Sequence, residues 1–581
     1  MKQKICPIDT LCKIKGVVLF ENDTFYSCTL NQTDLESNKN KFYIMQIIND
    51  STSHHLYIRY GRVGEKGKII DKIYQDKVKA KLEFIKQFYS KTGNRFGNDF
   101  VKKSGKYFMA DVQYEIEKDD IKDERPKYKT QSKLCDRQNF LMELFTNKKT
   151  MENTLISLSI DPKKMPLGKI SKSQLDEAQK VLTNIKKLLP NESESEDNSD
   201  ITNTKSTINN TTDKSDKCDK CDITNTTDAI NIDEKPKKRG RPKKTDKQVE
   251  LPPQSQPKSE NSPKSKKKLD VDKSDNIVQS DESNKIIKSV EIGKNIIHCD
   301  QFTDLSSEFY TLVPYSCGRN LPPIINNKET LGKFVTMLDD LKNLEVAIKV
   351  TKQGGDSLDN VYDSLEAKIK PIEKNSEIWN IISDYIKNTH GATHRTKIQL
   401  VDIYGLERNN ESKSIEDFLK KIGNRQLLWH GSRMTNFCSI IKNGLLLNPE
   451  TLGVYISGKM FGAGIYLASS FSKSFNYCSS ETSNGYACLL LCEAALGKQL
   501  EKIQSDSYLS PIKLKNYGNY NSTWGKGQNT PSSFINYENV KIPNGKLEKS
   551  NINTCLLYDE YIVYDTNQIS LKYLVIVKSI K

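Results

Sequence analysis

The chain has 581 residues, 36% hydrophobic and 28% charged, with 89 Lys+Arg against 74 Asp+Glu for a net charge of +15. That length allows three or four domains at about 150 residues each, and the basic balance suits a polyanionic partner such as nucleic acid as well as a merely basic surface. No apolar run approaches the roughly 18 residues needed to cross a bilayer. Thirteen scattered Cys, behind a start (MKQKICPIDT) that carries no signal peptide, argue for a reducing intracellular compartment and against a secreted disulfide scaffold.

The first segment alternates. FYIMQII (42–48) and LYIRYGRVG (56–64) read as strands of a twisted antiparallel sheet, separated by the polar turn NDSTSHH. A helix follows, capped by Asp76 and ended at Gly93 in SKTGN, with Val78, Leu82, Ile85 and Tyr89 at helical spacing as its expected core face. Tyr60 has two readings here, a ring filling the sheet core or a ring that stacks on nucleic acid. Lys66, Lys68, Lys102, Lys103 and Lys106 cluster nearby and suit salt-sensitive phosphate contacts.

Residues 134–189 read as helical. In ISKSQLDEAQKVLTNIKKLLP, Ser171 and Gln174 have capping-box spacing, and Leu175, Ala178, Leu182, Ile185 and Leu189 form a stripe that stops at Pro190. Residues 191–300 contain no Phe, Trp or Tyr and abound in polar residues, so they cannot bury enough apolar surface to fold alone. The pair Cys218 and Cys221 in this stretch lacks a second pair at zinc spacing and is not read as a metal site. KPKKRGRPKK (235–244) sets Arg239-Gly240-Arg241-Pro242 among lysines, which suits an AT-hook in an A·T-rich minor groove, a nuclear import signal, or a solvated charge run. Helical stripes resume with Leu331, Phe334, Val335, Leu338 and Leu341, then Trp379, Ile382, Tyr385 and Ile386.

The last third carries the chemistry. RQLLWHGSRMTNF (425–437) places a short strand before His430-Gly431-Ser432, and MFGAGIYLASSFSKSFNYC (460–478) runs a Gly-rich strand through Tyr466 into a helix with Lys473, Ser474 and Tyr477. LLYDEYIVYD (556–565) reads as a strand with two acids in its middle. Period-two alternation puts Glu560 on one face and Asp559 on the other, so whichever face is buried carries a carboxylate. Such an acid must be paired, left at a sheet edge, or employed on a ligand.

Taken together, these words resemble the poly(ADP-ribose) polymerase family. His430, Tyr466 and Glu560, set in HGSR, GIY, SKSFNYC and EYIVYD, resemble its H-Y-E catalytic domain; KMPLGKISKSQL, EFYTLVPY and YIKNTHGATH resemble its helical regulatory subdomain; and Tyr60-Gly61-Arg62 with KTGN resembles a WGR domain, Tyr60 standing where the family carries Trp. No Cys/His clusters fit amino-terminal zinc fingers. The resemblance implies a multidomain α+β chain: a WGR-like DNA-binding domain over 1–125, a regulatory bundle over 130–190 and 301–411 interrupted by a disordered basic insert over 191–300, and a mixed α/β ADP-ribosyltransferase catalytic domain over 412–581.

The resemblance also implies roles. Gly431 and Ser474 would hold the nicotinamide carboxamide of NAD+, and Tyr466 and Tyr477 would sandwich its ring. His430 and Ser432 would hold the adenosine ribose, with Lys473 also lining the cofactor site. Glu560 would bond the nicotinamide ribose and polarise the nucleophile, without a metal. DNA breaks or ends would be met by Tyr60 and Arg62, and A·T-rich DNA by Arg239 and Arg241. The implied function is DNA-break-stimulated transfer of ADP-ribose chains from NAD+ to proteins, itself included, wherever DNA is handled, the nucleus foremost, and away from membranes. The rival readings are transfer of single units, disfavoured because Glu560 is present, and a DNA-binding scaffold with weak catalysis. Two departures, Lys459 and Ala463, fall where relatives carry Tyr and Lys.

Overall fold

The computed structural model describes residues 6–110, 132–160, 171–190, 300–355, 357–409, 411, 413–447 and 460–580, with backbone alone for 413 and 414. Cys218, Cys221, Arg239, Arg241 and Lys459 lie outside the described residues, as does the insert up to residue 299. The described parts form a small antiparallel sheet with one long helix, a helical bundle, and a mixed α/β body.

Alternating apolar residues in the first segment build an antiparallel sheet in the order Lys68–Tyr74, His54–Arg62, Lys39–Asn49, Ser27–Asp34, Phe108–Met109. The helix Lys77–Thr92 lies on one face, with Asp76 accepting from Val78 N–H and Gly93 in the left-handed region at φ 70°. The expected core stripe is corrected. Ala80, Phe84 and Phe88 face the sheet, whereas Val78, Leu82 and Tyr89 are exposed. The helix has two apolar faces, and the aromatic one wins the sheet because Phe84 and Phe88 bury the most area.

On the other face, Arg59 is fully buried and pairs with Asp9 at 2.6 Å, and the same carboxylate accepts from Tyr57 Oη at 3.0 Å. This charge pair ties the first described residues to the middle of the sheet.

The bundle comprises Asp136–Phe145, Lys148–Ser157, Lys172–Leu188, a helical stretch over 300–312, Lys328–Gly354 and Leu358–Ser364. Leu175, Ala178, Leu182 and Ile185 share one core with Leu331, Phe334, Val335, Leu338 and Leu341. Ser171 caps its helix by accepting from Gln174 N–H, but the expected capping box is incomplete. Gln174 instead donates its amide to Leu312 C=O, stitching the parts of the bundle on either side of the insert together. The first sheet docks on the stretch 300–312: Thr33 N–H donates to Thr311 Oγ1 and Leu35 N–H to Ser307 Oγ, each at 3.0 Å.

The last body is built on a seven-stranded sheet, in the order Ile535–Tyr537, Val540–Ile542, Arg425–Gly431, Tyr486–Ala495, Ile569–Ile580, Lys397–Arg408, Ala367–Pro371. The boundary expected between 411 and 412 therefore cuts through a sheet. Lys397–Arg408 pairs along its length with Ile569–Ile580, so it belongs with the catalytic words rather than with the bundle. The helix Glu377–Asn388, just before it in the chain, belongs there too, packing Ile378, Ile382, Tyr385 and Ile386 on Leu427, Trp429 and Leu489, with Trp379 only partly covered. Both faces of the central strand Tyr486–Ala495 are buried, which explains its apolar run over 487–492; the one acid in the strand, Glu493, is buried and paired with Arg425.

Removing one partner of a buried ion pair leaves an uncompensated charge, which costs about 3–5 kcal/mol. Asp9→Ala should destabilise the first domain by that amount, read as an earlier transition in urea or thermal unfolding followed by a probe in that domain.

Candidate active site

Two strands and a short helix converge where Arg425–Gly431 ends. One edge of that strand pairs with Tyr486–Ala495; at Trp429 the other edge exchanges both backbone bonds with Ala468, at 2.8 and 2.9 Å. Backbone groups alternate between edges, so the N–H and C=O of Gly431, two residues on, turn to the same edge beyond the Ala468 bridge. The helix Phe471–Phe475 seats directly against this point. A Cβ on Gly431 would lie 1.7 Å from Ser474 C=O, so only glycine fits. Ser474 is buried, and its hydroxyl donates to Trp429 C=O at 3.2 Å.

His430 Nδ1 lies 3.0 Å from Tyr466 C=O. A carbonyl only accepts, so Nδ1 carries the proton and the neutral ring presents the Nε2 lone pair. Burial pushes this imidazole below its ordinary value, opposed by that hydrogen bond. Tyr466 is fixed at both ends: its strand pairs it with Ile562, and its hydroxyl donates to Gly462 C=O and accepts from Phe461 N–H, each at 2.9 Å. Tyr477, 57% exposed, has its hydroxyl pushed up to about 12 by the surrounding protein and then by the Glu560 carboxylate.

The stretch 556–565 is not one strand. Leu556–Tyr558 joins a three-stranded sheet with Gly527–Pro531, and Glu560–Val563 joins a four-stranded sheet between Ile465–Leu467 and Ser522–Gly525. At the switch both acids are buried, Asp559 at 1% and Glu560 at 7% exposure, so the expected contrast between a buried and an opposite face does not hold. Asp559 accepts from Gly527 N–H at 2.8 Å and Thr530 Oγ1 at 2.6 Å, which fastens the Gly-Lys-Gly loop to the switch. Glu560 Oε1 pairs with Lys473 Nζ at 2.9 Å, while its Oε2 is buried with no hydrogen-bond partner among the described residues. Lys473 also donates to Tyr558 C=O at 2.8 Å. Burial pushes its ammonium below the ordinary lysine value, with Glu560 opposing.

The structure thus links His430, Gly431, Tyr466, Lys473, Ser474, Tyr477 and Glu560 into one neighbourhood. Ser432 sits at its rim, where Asn436 Nδ2 donates both to Ser432 Oγ (2.9 Å) and to Asp340 Oδ1 (3.0 Å) of the bundle helix Lys328–Gly354. Arg433 Nε pairs with Asp340 Oδ2 at 2.8 Å, and Arg433 Nη1 donates to Ser157 Oγ at 3.1 Å. Asp340 is 8% exposed, and burial raises its carboxyl against the pull of Arg433 and Asn436. Sequence reasoning missed Asp340 and Arg433. Their signal was an acid inside the longest apolar helix and a cation directly after His-Gly-Ser.

A second missed feature lies beside Tyr558. Ser472 Oγ, beside Lys473, bonds His394 Nδ1 and Gly391 N–H, each at 2.8 Å, and His394 stacks on Tyr558 at 5.3 Å. From there a groove of about 570 Å³ opens, lined by Lys387, His390, His394, Arg395 and Lys397 over Ile386 and Ile398, with no carboxylate in its wall.

Tyr60 and Arg62 stand apart in the first domain. Tyr60 is half-buried, its ring 5.7 Å from that of Tyr43. Arg62 is engaged by the bundle: Nε donates to Gly318 C=O and Nη2 to Asn320 C=O, each at 2.9 Å. Of the neighbouring lysines, Lys102 pairs with Glu308, and Lys103 and Lys106 donate to the carbonyls of Gly93 and Ser90 at the end of the long helix. Among the described residues no helix is long and apolar enough to cross a membrane.

Because the largely covered Lys473 is pushed below the ordinary lysine value, the cation beside Glu560 should vanish before pH reaches the ordinary lysine range. Turnover of a reaction that uses Glu560 should therefore fall on the alkaline side below that range. Lys473→Arg, which cannot deprotonate, should move the alkaline limb of the pH–rate profile upward.

Family comparisons agree with this anatomy. Residues 376–579 match the poly(ADP-ribose) polymerase catalytic domain, residues 26–103 the WGR domain, and residues 132–217 and 271–368 the poly(ADP-ribose) polymerase regulatory domain. The chain is similar to "Poly [ADP-ribose] polymerase" of Sarcophaga peregrina, 28% identical over 98% of this chain and 47% of that protein. It is also similar to the protein of the same name of Drosophila melanogaster, 29% over 96% and 46%. "Poly [ADP-ribose] polymerase 1" of Caenorhabditis elegans is 30% identical over 96% and 50%. The chain spans about half the length of the curated relatives it matches. With WGR, regulatory and catalytic parts all matched in order along it, this chain belongs to the poly(ADP-ribose) polymerase family.

Proposed function

We propose that the chain transfers ADP-ribose from NAD+ to protein acceptors, itself included, and extends it into chains with release of nicotinamide. The observation that carries this reading is the half-paired carboxylate of Glu560. A buried oxygen without a partner costs free energy unless a ligand supplies one, and a ribose hydroxyl is such a partner. Cleaving nicotinamide from NAD+ passes through an oxocarbenium-like state, so the site works by positioning and by fixed charge. The open N–H and C=O of Gly431 and the Ser474 hydroxyl match the two sides of a carboxamide. Tyr466, pinned by its hydroxyl, gives the ring a wall, with Tyr477 opposite. His430 Nε2 and Ser432 suit the hydroxyls of the second ribose. The cationic groove beside Tyr558 suits the phosphates of an incoming ADP-ribose end.

The same reading makes the reaction dependent on DNA breaks. Tyr60 and Arg62 would meet the break, and Arg62 is bonded to the bundle whose Asp340 holds Arg433 directly and Ser432 by way of Asn436. DNA that competes for Arg62 would loosen this grip, since a ligand shifts an equilibrium only through differential affinity for the two states. Arg239 and Arg241 would add affinity for A·T-rich duplex.

Incubation with labelled NAD+, with and without nicked DNA, tests both parts: absence of labelled protein in both conditions refutes the transfer, and equal labelling in the two refutes the dependence on breaks. Glu560→Gln should lower chain extension by about a hundred- to ten-thousand-fold, as loss of general-base help does, leaving single units or free ADP-ribose on a gel. Long polymer from that variant would reject the assignment. Asp340→Ala should raise activity without DNA by about 5- to 150-fold, the range of typical coupling free energies, and leave the DNA-stimulated rate nearly unchanged.

A further inference from the structure

The helix Lys77–Thr92 is apolar on two faces, and only one of them is used. Ala80, Phe84 and Phe88 close the core of the first sheet. Val78, Leu82, Ile85 and Tyr89 run along another line, where Val78, Leu82 and Tyr89 are 57, 62 and 57% exposed. Single exposed apolar residues are ordinary, but several on one line mark a contact surface. At about 100° per residue the four fall within about 60° of one another. Their spacing of four, three and four residues is that of the seam between two paired helices. An interfacial helix enters a membrane with a broader apolar face.

The positions that border such a seam choose the partner by charge. Here they are Lys79, Lys81 and Lys86. Lys81 is held by Glu21, whereas Lys79 and Lys86 form no salt bridge among the described residues. The helix's single acid, Glu83, is engaged by Lys72 and Gln87. The seam is therefore bordered on one side by Lys79 and Lys86, and on the other by Lys81 with its Glu21 partner.

We propose that this stripe docks an amphipathic helix of another protein whose own seam is bordered by Glu or Asp. A second copy of this chain is the poorer occupant, because self-pairing would set lysine against lysine. The inference rests on the first domain alone and is independent of the catalytic reading.

The test uses the full chain and a fluorescent synthetic peptide of about three heptads with Leu at the seam, made in one version bordered by Glu and one bordered by Lys. The Glu version should bind saturably in fluorescence anisotropy, at least tenfold more tightly than the Lys version. Leu82→Glu combined with Tyr89→Glu should abolish this binding with an unchanged unfolding curve, since both side chains are exposed. Lys79→Glu combined with Lys86→Glu should reverse the preference, which decides the matter even if the first pair disturbs folding. Equal binding of the two peptides would overturn the proposal. So would binding untouched by the Leu82 and Tyr89 changes, self-association of the chain abolished by them, or preference for anionic phospholipid vesicles over the Glu peptide.

Discussion

A buried carboxylate with one oxygen paired and the other bare is the constraint around which the catalytic body is arranged. Lys473 reaches the buried Glu560 carboxylate on one side while its ammonium also donates to the Tyr558 carbonyl. That geometry requires the chain to change sheets between Tyr558 and Glu560, which exposes the carbonyl to the lysine. The change of sheet in turn buries Asp559, whose two hydrogen bonds hold the loop at Gly527 and Thr530 in place. Remove the pairing and each of these features loses its reason.

The same economy explains the glycine at 431. The helix carrying Lys473 and Ser474 must approach the strand end closely enough to present both residues, and any side chain at 431 would push it away. Close approach of backbone to backbone is what lets one short helix serve both ends of the site.

The bundle connects the two remaining bodies through hard contacts at its opposite sides. Arg62 donates to the 318–320 carbonyls on one side, while Asp340 and Ser157 hold Arg433 on the other. Between them lies one continuous apolar core that includes Phe334, Leu338 and Phe437, with Phe145 and Phe437 stacked at 5.9 Å. Packed interiors transmit displacement because they contain few voids to absorb it.

The sequence by itself determined the elements and the chemistry-bearing words. Strand alternation, the stripe ending at Pro190, Asp76 and Gly93 at the helix ends, and the order of His430, Tyr466 and Glu560 were legible because local periodicity, caps and residue type are properties of short segments. What it left undecided were choices between faces and partners. Val78, Leu82, Ile85 and Tyr89 have helical spacing as good as that of Ala80, Phe84 and Phe88, and only the sheet's demand for the larger aromatic area decided which line went inside. Alternation could not foresee that LLYDEYIVYD would be split between two sheets, nor that both its acids would be buried. The strand Lys397–Arg408 was assigned to the wrong body because its partner lies more than 160 residues away. Asp340 and Arg433 became a pair only when the longest helix was laid against the His-Gly-Ser turn, since long-range contact is set by packing of whole bodies, and an acid in one helix or a cation after one turn does not name its partner.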